Sequence, residues 1–408
     1  MKSYLFPFGL FVFCSLLLGK TFDSYAQVFS YSEQGTPSNV SVRTGADQTW
    51  LYIPYLKGKK VGLVVNPTSV IGQTHLVDTL LQLGVKVVKV FGPEHGFRGN
   101  ADAGEKVKTG IDQKTSLPVI SLYGKNKKPS AEQLSDLDVV VFDIQDVGCR
   151  FYTYISTLTY VMEACAVNGK ELLILDRPNP NGHFVDGPIL EEKFKSFVGL
   201  HPVPIVHGCT IGEYAKMVVG ENWIESAAKL KMKIIPVQGW NHRQFYSLPV
   251  KPSPNLPNMN AIWLYPSLCL FEGTVVSVGR GTEFPFQVMG YPGMPEGNYK
   301  FTPKSVEGAK NPPYLDTLCT GFRLDDFSEN YVRDLKQIYL FWLTQTYATY
   351  HDKEHFFTSY FNTLAGTDQL KKQVMEGKTE EEIRQSWQVG LSSYKAKRKK
   401  YLLYTDFE

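Results

Sequence analysis

Residues 91 to 105, FGPEHGFRGNADAGE, follow directly on the apolar run VKVVKV and set acids, a histidine and an arginine among four glycines. Glycines and Pro93 are enough to make a turn. Glu94, His95, Arg98, Asp102 and Glu105 therefore need another reason to sit there. Acids, amides, arginines and aromatic rings together make the inventory of a carbohydrate site: acids transfer protons, amides and arginines hold hydroxyls and carboxylates, and rings cover sugar faces. Glu94 leads as general acid, because a glutamate on a short rigid loop can be partly desolvated, which favours a protonated carboxyl. The competing reading makes Glu94 a loop brace paired with Arg98, and at this level the two stay open.

Other reactive side chains cluster at comparable places. His95 is either a substrate contact or a local hydrogen-bonder. In FDIQDVGCRFYTYIS, Asp143 reads as functional and Asp146 as the cap of the helix that follows, with Gln145 as a binding amide. Arg150, Tyr152 and Tyr154 head that helix, facing a crevice or, on the plainer account, the core. Asn66 and Asn179 end two further apolar runs, while His207, Glu272, Arg280 and Glu283 would close a cleft from later loops. The segment EGTVVSVGRGTEFPF (272–286) is polar and glycine-rich for a scaffold, although two glutamates and an arginine could equally brace each other.

These positions imply the elements that carry them. Val/Ile/Leu runs at 61–66, 85–92, 117–124, 138–144 and 171–176 read as strands covered on both faces. Helical spacing at 75–84 and 152–169 ends in glycine, as a C′ position favours. Alternation of β and α units predicts an α/β fold with a parallel, doubly wound sheet, extended by a helix near 210–224 and a strand at 231–238. Ligands of such sheets bind beyond the carboxyl ends of the strands, where Asn66, Glu94, Asp143 and Asn179 fall. A proline-rich stretch near 250 marks the crossing from a catalytic domain at 51–250 to a smaller one at 251–408. The latter carries a long helical pattern near 326–350 and helices near 367–376 and 379–404. Its basic KAKRKKY reads as a solvated helix end.

Lysine plus arginine number 43 against 40 acids, a net +3, which lacks the dense basic surface that nucleic acid demands. The chain starts with one lysine, an apolar run of roughly 15 residues, and Ser24-Tyr25-Ala26 as a small-x-small site, the pattern of a signal peptide at 1–26. That run is short of the ~20 residues a span needs, so an exported, periplasmic or secreted protein with a flexible lead at 27–50 is expected. Lipid anchoring through Cys14 is disfavoured, since Phe13 stands where a small residue belongs. The other five cysteines are scattered without a CxxC pair, against a zinc or disulfide framework. GxGxxG, GxxxxGK[ST] and GxSxG are all absent, which disfavours nucleotide cofactors and a serine-hydrolase elbow.

With PEHGFRG…AGE, FDIQDVGCRFYTYIST, DRPNPNG…GP, KPSPNLP, EGTVVSVGRGTEFPF and the GTD at 366–368 assembled, the chain resembles the exo-β-N-acetylmuramidase family over nearly its whole mature length. The resemblance implies a Rossmann-like domain and a smaller C-terminal domain with the cleft between them, no nucleotide, no metal, and substrates ending in N-acetylmuramic acid. It points to Glu94 as catalytic. The lactyl carboxylate of that sugar would call for Arg98, Arg150 or Arg280, and the second catalytic group would be Asp143 or Glu283, acting directly or through the sugar's 2-acetamido oxygen. Two rivals are a muropeptide-binding protein that does not cut, and an amidase or deacetylase with a metal on His95, Asp143 and His207. His95 and His207 do not stand in close HxxxH-type spacing, which counts against the metal.

Overall fold

Strands β1 (Val61–Val65) and β5 (Val139–Asp143) are buried along their full length, as continuous apolar runs require. Their alternate residues serve two cores. Val61, Leu63, Val65, Val139 and Val141 face one, with Tyr52 and Leu80; Val64, Val140 and Phe142 face the other, with Leu158 and Met162. This two-sided burial needs helices on both faces. They are supplied by α1 (Thr49–Leu56) and α2 (Leu76–Gln82) on one side, and α3 (Tyr154–Val167) and α4 (Ile211–Gly220) on the other.

The computed structural model describes residues 41–94, 96–98 and 110–408. The expected leader, Cys14, His95, Asp102 and Glu105 lie outside the described residues. The main sheet is completed by β2 (Val87–Gly92), β3 (Gly110–Ile111), β4 (Pro118–Ser121), β6 (Glu171–Leu175) and β7 (Lys231–Ile235), in the order β3-β4-β2-β1-β5-β6-β7. All neighbours are parallel except β3, which runs against β4. The chain steps outward from β1 through β2 to β4, then returns to lay β5 on the other side of β1. That reversal is the point where ligands of such sheets bind. The glycines expected to stop α2 and α3, Gly84 and Gly169, have φ of 75° and 63°, a region that favours glycine.

Beyond residue 258 come α5 (Met259–Leu268), an antiparallel sheet of β8 (Val288–Tyr291), β9 (Tyr299–Phe301) and β10 (Cys319–Arg323) in the order β8-β10-β9, and four helices: α6 (Phe341–Thr349), α7 (Tyr360–Ala365), α8 (Gln369–Met375) and α9 (Glu380–Arg398). Leu268, Phe271, Phe361, Leu364, Trp387 and Tyr394 join the same core as Val140 and Leu158. This part therefore shares its interior with the main sheet.

Three expectations need correction. The helical pattern at 326–350 is broken, because Lys336 takes a left-handed conformation (φ 55°) and α6 starts only at Phe341. Residues 43–48, read as part of a mobile lead, are packed: Arg43 pairs with Gln238, and Gly45 N–H donates to the Asp176 carbonyl at 2.7 Å. A Cβ on Gly45 would come within 2.4 Å of the Ile235 carbonyl oxygen. The basic end of α9 is only partly solvated, since Arg398 is fully buried, donating to the Gly208 carbonyl and to Asp406.

Arg150 joins the β5–α3 loop to the C-terminal helices. Its Nη1 donates to the carbonyls of Pro188 (2.9 Å) and Val203 (2.8 Å), and its Nη2 to those of Leu364 (3.0 Å) and Ala365 (2.7 Å). Substituting Arg150→Met would take a charged donor away from four carbonyls in a dry site, of which Val203 keeps a second partner, the Leu190 N–H at 3.2 Å. The expected loss of unfolding free energy is about 3 kcal/mol or more, read by urea denaturation. A loss below about 1 kcal/mol would contradict this account.

Candidate active site

Glu94 is the second residue after β2, on a turn closed by Gly96 N–H donating to the Pro93 carbonyl at 2.9 Å. Its carboxylate meets the head of α3. The Thr153 hydroxyl donates to Glu94 Oε2 at 3.1 Å, and the Tyr154 hydroxyl to the Glu94 carbonyl at 3.4 Å. The loop-brace reading of Glu94 fails on geometry, because Arg98 is engaged elsewhere. Arg98 grips Asp112 through Nε and Nη2, both at 2.9 Å, and reaches Asp78 Oδ1 at 3.1 Å. Hydrogen bonds from Arg98 hold the Asp112 carboxyl well below the usual range, at about 2. Arg98 anchors the loop and does not line the cavity onto which Glu94 opens.

Glu94 opens onto a cavity of about 150 Å³. Tyr152, Tyr154, Tyr265 and Phe286 back it with edge-to-face rings, at centroid spacings of 5.0 Å (Tyr152–Tyr154), 5.9 Å (Tyr152–Tyr265) and 4.9 Å (Tyr265–Phe286). The other reactive residues on its wall are Glu272 and Arg280. Arg280 pairs with Glu272 through Nε and Nη2, the latter 3.1 Å from Oε2, and lies over the Phe286 ring at 5.0 Å. Burial alone would lower the Arg280 guanidinium, but the Glu272 carboxylate holds it above its ordinary value. Glu94, Tyr154, Glu272 and Arg280 are thus the expected residues that share one cavity.

Several others are placed elsewhere. Asp143 is fully buried, both oxygens taken by Arg177 at 2.6 and 2.9 Å. Glu283 is exposed and does not line the cavity. Arg150 is spent on four carbonyls. Asn66 Oδ1 accepts from the Thr68 N–H at 2.9 Å, and Gln145 Nε2 donates to the carbonyls of Asp146 and Pro178. Asn179 Nδ2 donates to the Cys209 carbonyl at 2.9 Å. His207 Nδ1 accepts from Cys209 N–H at 3.2 Å, so Nε2 carries the proton, 3.5 Å from Asp146 Oδ2. Asp146 itself accepts from Gly148 N–H at 2.6 Å and caps that turn, whereas the cap position of α3 is Thr153. Arg150, Asn66, Gln145, Asn179, His207 and Asp146 each hold buried backbone groups near the strand ends. Among the described residues no three His, Cys, Asp or Glu side chains converge as metal ligands.

Two cavity residues had no sequence signal. Thr153 looks like any helix-start hydroxyl. Tyr360 sits in TSYFNTLAG, whose spacing reads as ordinary amphipathic helix. Burial raises the Tyr360 hydroxyl, reinforced by Cys269, Glu272 and Glu94, which places it within electrostatic reach of both acids of the cavity.

Residues 61–260 match the N-terminal region, and residues 263–404 the C-terminal region, of the family described as exo-β-N-acetylmuramidase NamZ. Peptidoglycan β-N-acetylmuramidase NamZ of Bacillus subtilis (strain 168) is 39% identical over 404 residues, covering 91% of this chain and 94% of that protein. Crystal structures of two DUF1343 family proteins from Bacteroides fragilis NCTC 9343 share the architecture. One has a TM-score of 0.84 at 48% identity and the other 0.77 at 28%; each similarity covers 90% of this chain and 100% of the solved one. By its sequence, the chain belongs to the exo-β-N-acetylmuramidase NamZ family.

Proposed function

We propose that the chain is an exo-acting β-N-acetylmuramidase that removes terminal N-acetylmuramic acid from peptidoglycan fragments, with Glu94 as general acid. The observation that carries this reading is the cavity itself. One acid leaves the end of a central strand, tethered by Thr153, on a wall shared with an acid–arginine pair and a bank of rings. The rings supply an apolar surface suited to a sugar face.

Arg280 is the arginine proposed to read the lactyl carboxylate. Arg98 is spent on Asp78 and Asp112, and Arg150 on backbone carbonyls. Arg280 lines the cavity with Glu272 on its Nε and Nη2, which leaves Nη1 for a substrate carboxylate.

We also place its work outside the cytoplasm, supported by the lysine, the apolar run and Ser24-Tyr25-Ala26. No helix among the described residues is long and apolar enough to cross a membrane. A division into two domains near residue 250 is supported by the proline-rich stretch there and by the family's halves meeting between 260 and 263.

Glu94→Gln should lower kcat on a disaccharide ending in N-acetylmuramic acid by about 10²- to 10⁴-fold, with the Kd for free N-acetylmuramic acid changed only a few-fold. Near-normal turnover would remove Glu94 from this role. Arg280→Gln should cut kcat/KM for an aryl β-N-acetylmuraminide at least about tenfold more than for the matching N-acetylglucosaminide, as loss of a charge-assisted contact implies. Equal losses on both substrates would separate Arg280 from the lactyl group.

A further inference from the structure

Two acids line the cavity, and the second is not one that the sequence singled out for catalysis. Asp143 is buried against Arg177, and Glu283 is exposed away from the wall, which leaves Glu272 as the other acid lining the cavity beside the proton donor. Glu272 is fixed in place. Arg280 takes one lone pair on each oxygen, and the Cys269 thiol approaches Oε2 at 3.7 Å. Such pairing blunts direct attack on carbon but leaves acceptor capacity on Oε1 for an N–H.

The chemistry of the sugar supplies the rest. In N-acetylmuramic acid the lactyl ether is on C3, the acetamido group on C2, and the bond to be cut at C1. With Arg280 on the lactyl carboxylate, the acid gripping the other edge of the same guanidinium lies beside the C2 substituent. The acetamido N–H is the sugar's one nitrogen donor. We infer that Glu272 accepts the hydrogen bond of this N–H and turns the acetamido oxygen onto C1, so that Glu272 is the second carboxylate of the reaction. This rests on the function proposed above and assigns the half of the chemistry that Glu94 does not perform.

The step balances without any co-reactant beyond water. Glu94 gives its proton to the glycosidic oxygen as the C1–O bond breaks, and the bonding pair leaves with that oxygen. The acetamido oxygen donates a lone pair to C1, closing a five-membered oxazolinium ring whose N–H stays on Glu272. Water oxygen then adds to C1, the ring C1–O pair returns to the acetamido oxygen, and a water proton passes to the Glu94 carboxylate. The anomeric configuration is retained and both side chains are restored.

The test uses the full chain and aryl β-N-acetylmuraminides carrying acetyl, fluoroacetyl, difluoroacetyl or trifluoroacetyl on nitrogen. The wild-type rate should fall with each added fluorine, as the carbonyl oxygen loses nucleophilicity, and the first product seen by proton NMR should be the β anomer. Glu272→Gln should lose about 100-fold or more in kcat, equally on activated aryl and on disaccharide substrates, with free N-acetylmuramic acid still bound. Glu94→Gln should spare the activated substrates, which need no acid. Rates indifferent to fluorine, an α first product, or near-normal turnover by Glu272→Gln would each overturn the assignment while leaving the muramidase reading intact. A wild type that cleaves no muraminide at all would remove both. Even if Glu272→Gln fails to fold, a wild-type rate indifferent to fluorine still overturns the assignment.

Discussion

The structure depends on one buried cation that has no carboxylate partner. Arg150 is surrounded by backbone carbonyls from three separate stretches of chain, at Pro188, Val203 and Leu364–Ala365. Burial pushes its guanidinium down to about 9, still protonated near neutral pH, so the charge is balanced by fixed dipoles alone. Three residues on from Arg150 is Thr153, which holds Glu94. On the other side, α7 is tied by its last carbonyls to Arg150 and packs so closely on Gly273 that a Cβ there would come within 2.4 Å of Phe361 Cα. Thr358 N–H also donates to the Gly273 carbonyl at 2.9 Å. Glu272 is the next residue back. The spacing of the two acid-bearing walls is therefore set by one chain of contacts, from Glu94 through Thr153, Arg150 and α7 to Glu272.

A second constraint explains why the cavity is off to one side. At the reversal point of the sheet, where related folds keep an open crevice, this chain has filled the space with its own polar groups. Ser69 donates to the Asp143 carbonyl, Asp143 holds Arg177, and Thr68 links Asn66 to the Gln145 N–H. Such a network is costly to leave half-made and rigid once complete. The cavity opens instead at the end of β2, where Glu94 leaves the sheet and the C-terminal part of the chain supplies Glu272, Arg280 and Tyr360 to its lining.

The sheet was legible because burial on both faces writes itself into a strand as an unbroken apolar run, and the stops at Gly84 and Gly169 follow from backbone sterics. That Glu94 would line a cavity was legible for a similar reason: reactive residues in a glycine-rich turn at a strand end have little structural excuse. Arg98 and Arg150, expected as ligand contacts, are engaged by partners 14 to 20 and 38 to 215 residues away, and a guanidinium carries no local mark of which partner it will meet. Asp143 and Glu283, expected as second acids, lie off the cavity; nothing in FDIQD shows that Arg177 will close on Asp143, and nothing in GRGTEF that Glu283 will face outward. Tyr360 was invisible, since a tyrosine on an amphipathic helix looks like core until the opposite wall is in place. The 326–350 stretch was read as one helix because its composition permits it, and the break at Lys336 is a tertiary decision.

The shared interior carries a consequence for how this architecture can diversify. In many two-part enzymes the substrate-selecting part can be exchanged against a constant catalytic part, because few contacts cross the seam. Here the acid and its anchor come from before residue 260, the facing pair and Tyr360 from after it, and one arginine spans both by gripping main chain rather than side chains. Grafting a foreign C-terminal half would preserve those carbonyls only if its helix ended at the same height and angle. New specificities are therefore reached by point changes around the rim, with the two halves inherited together.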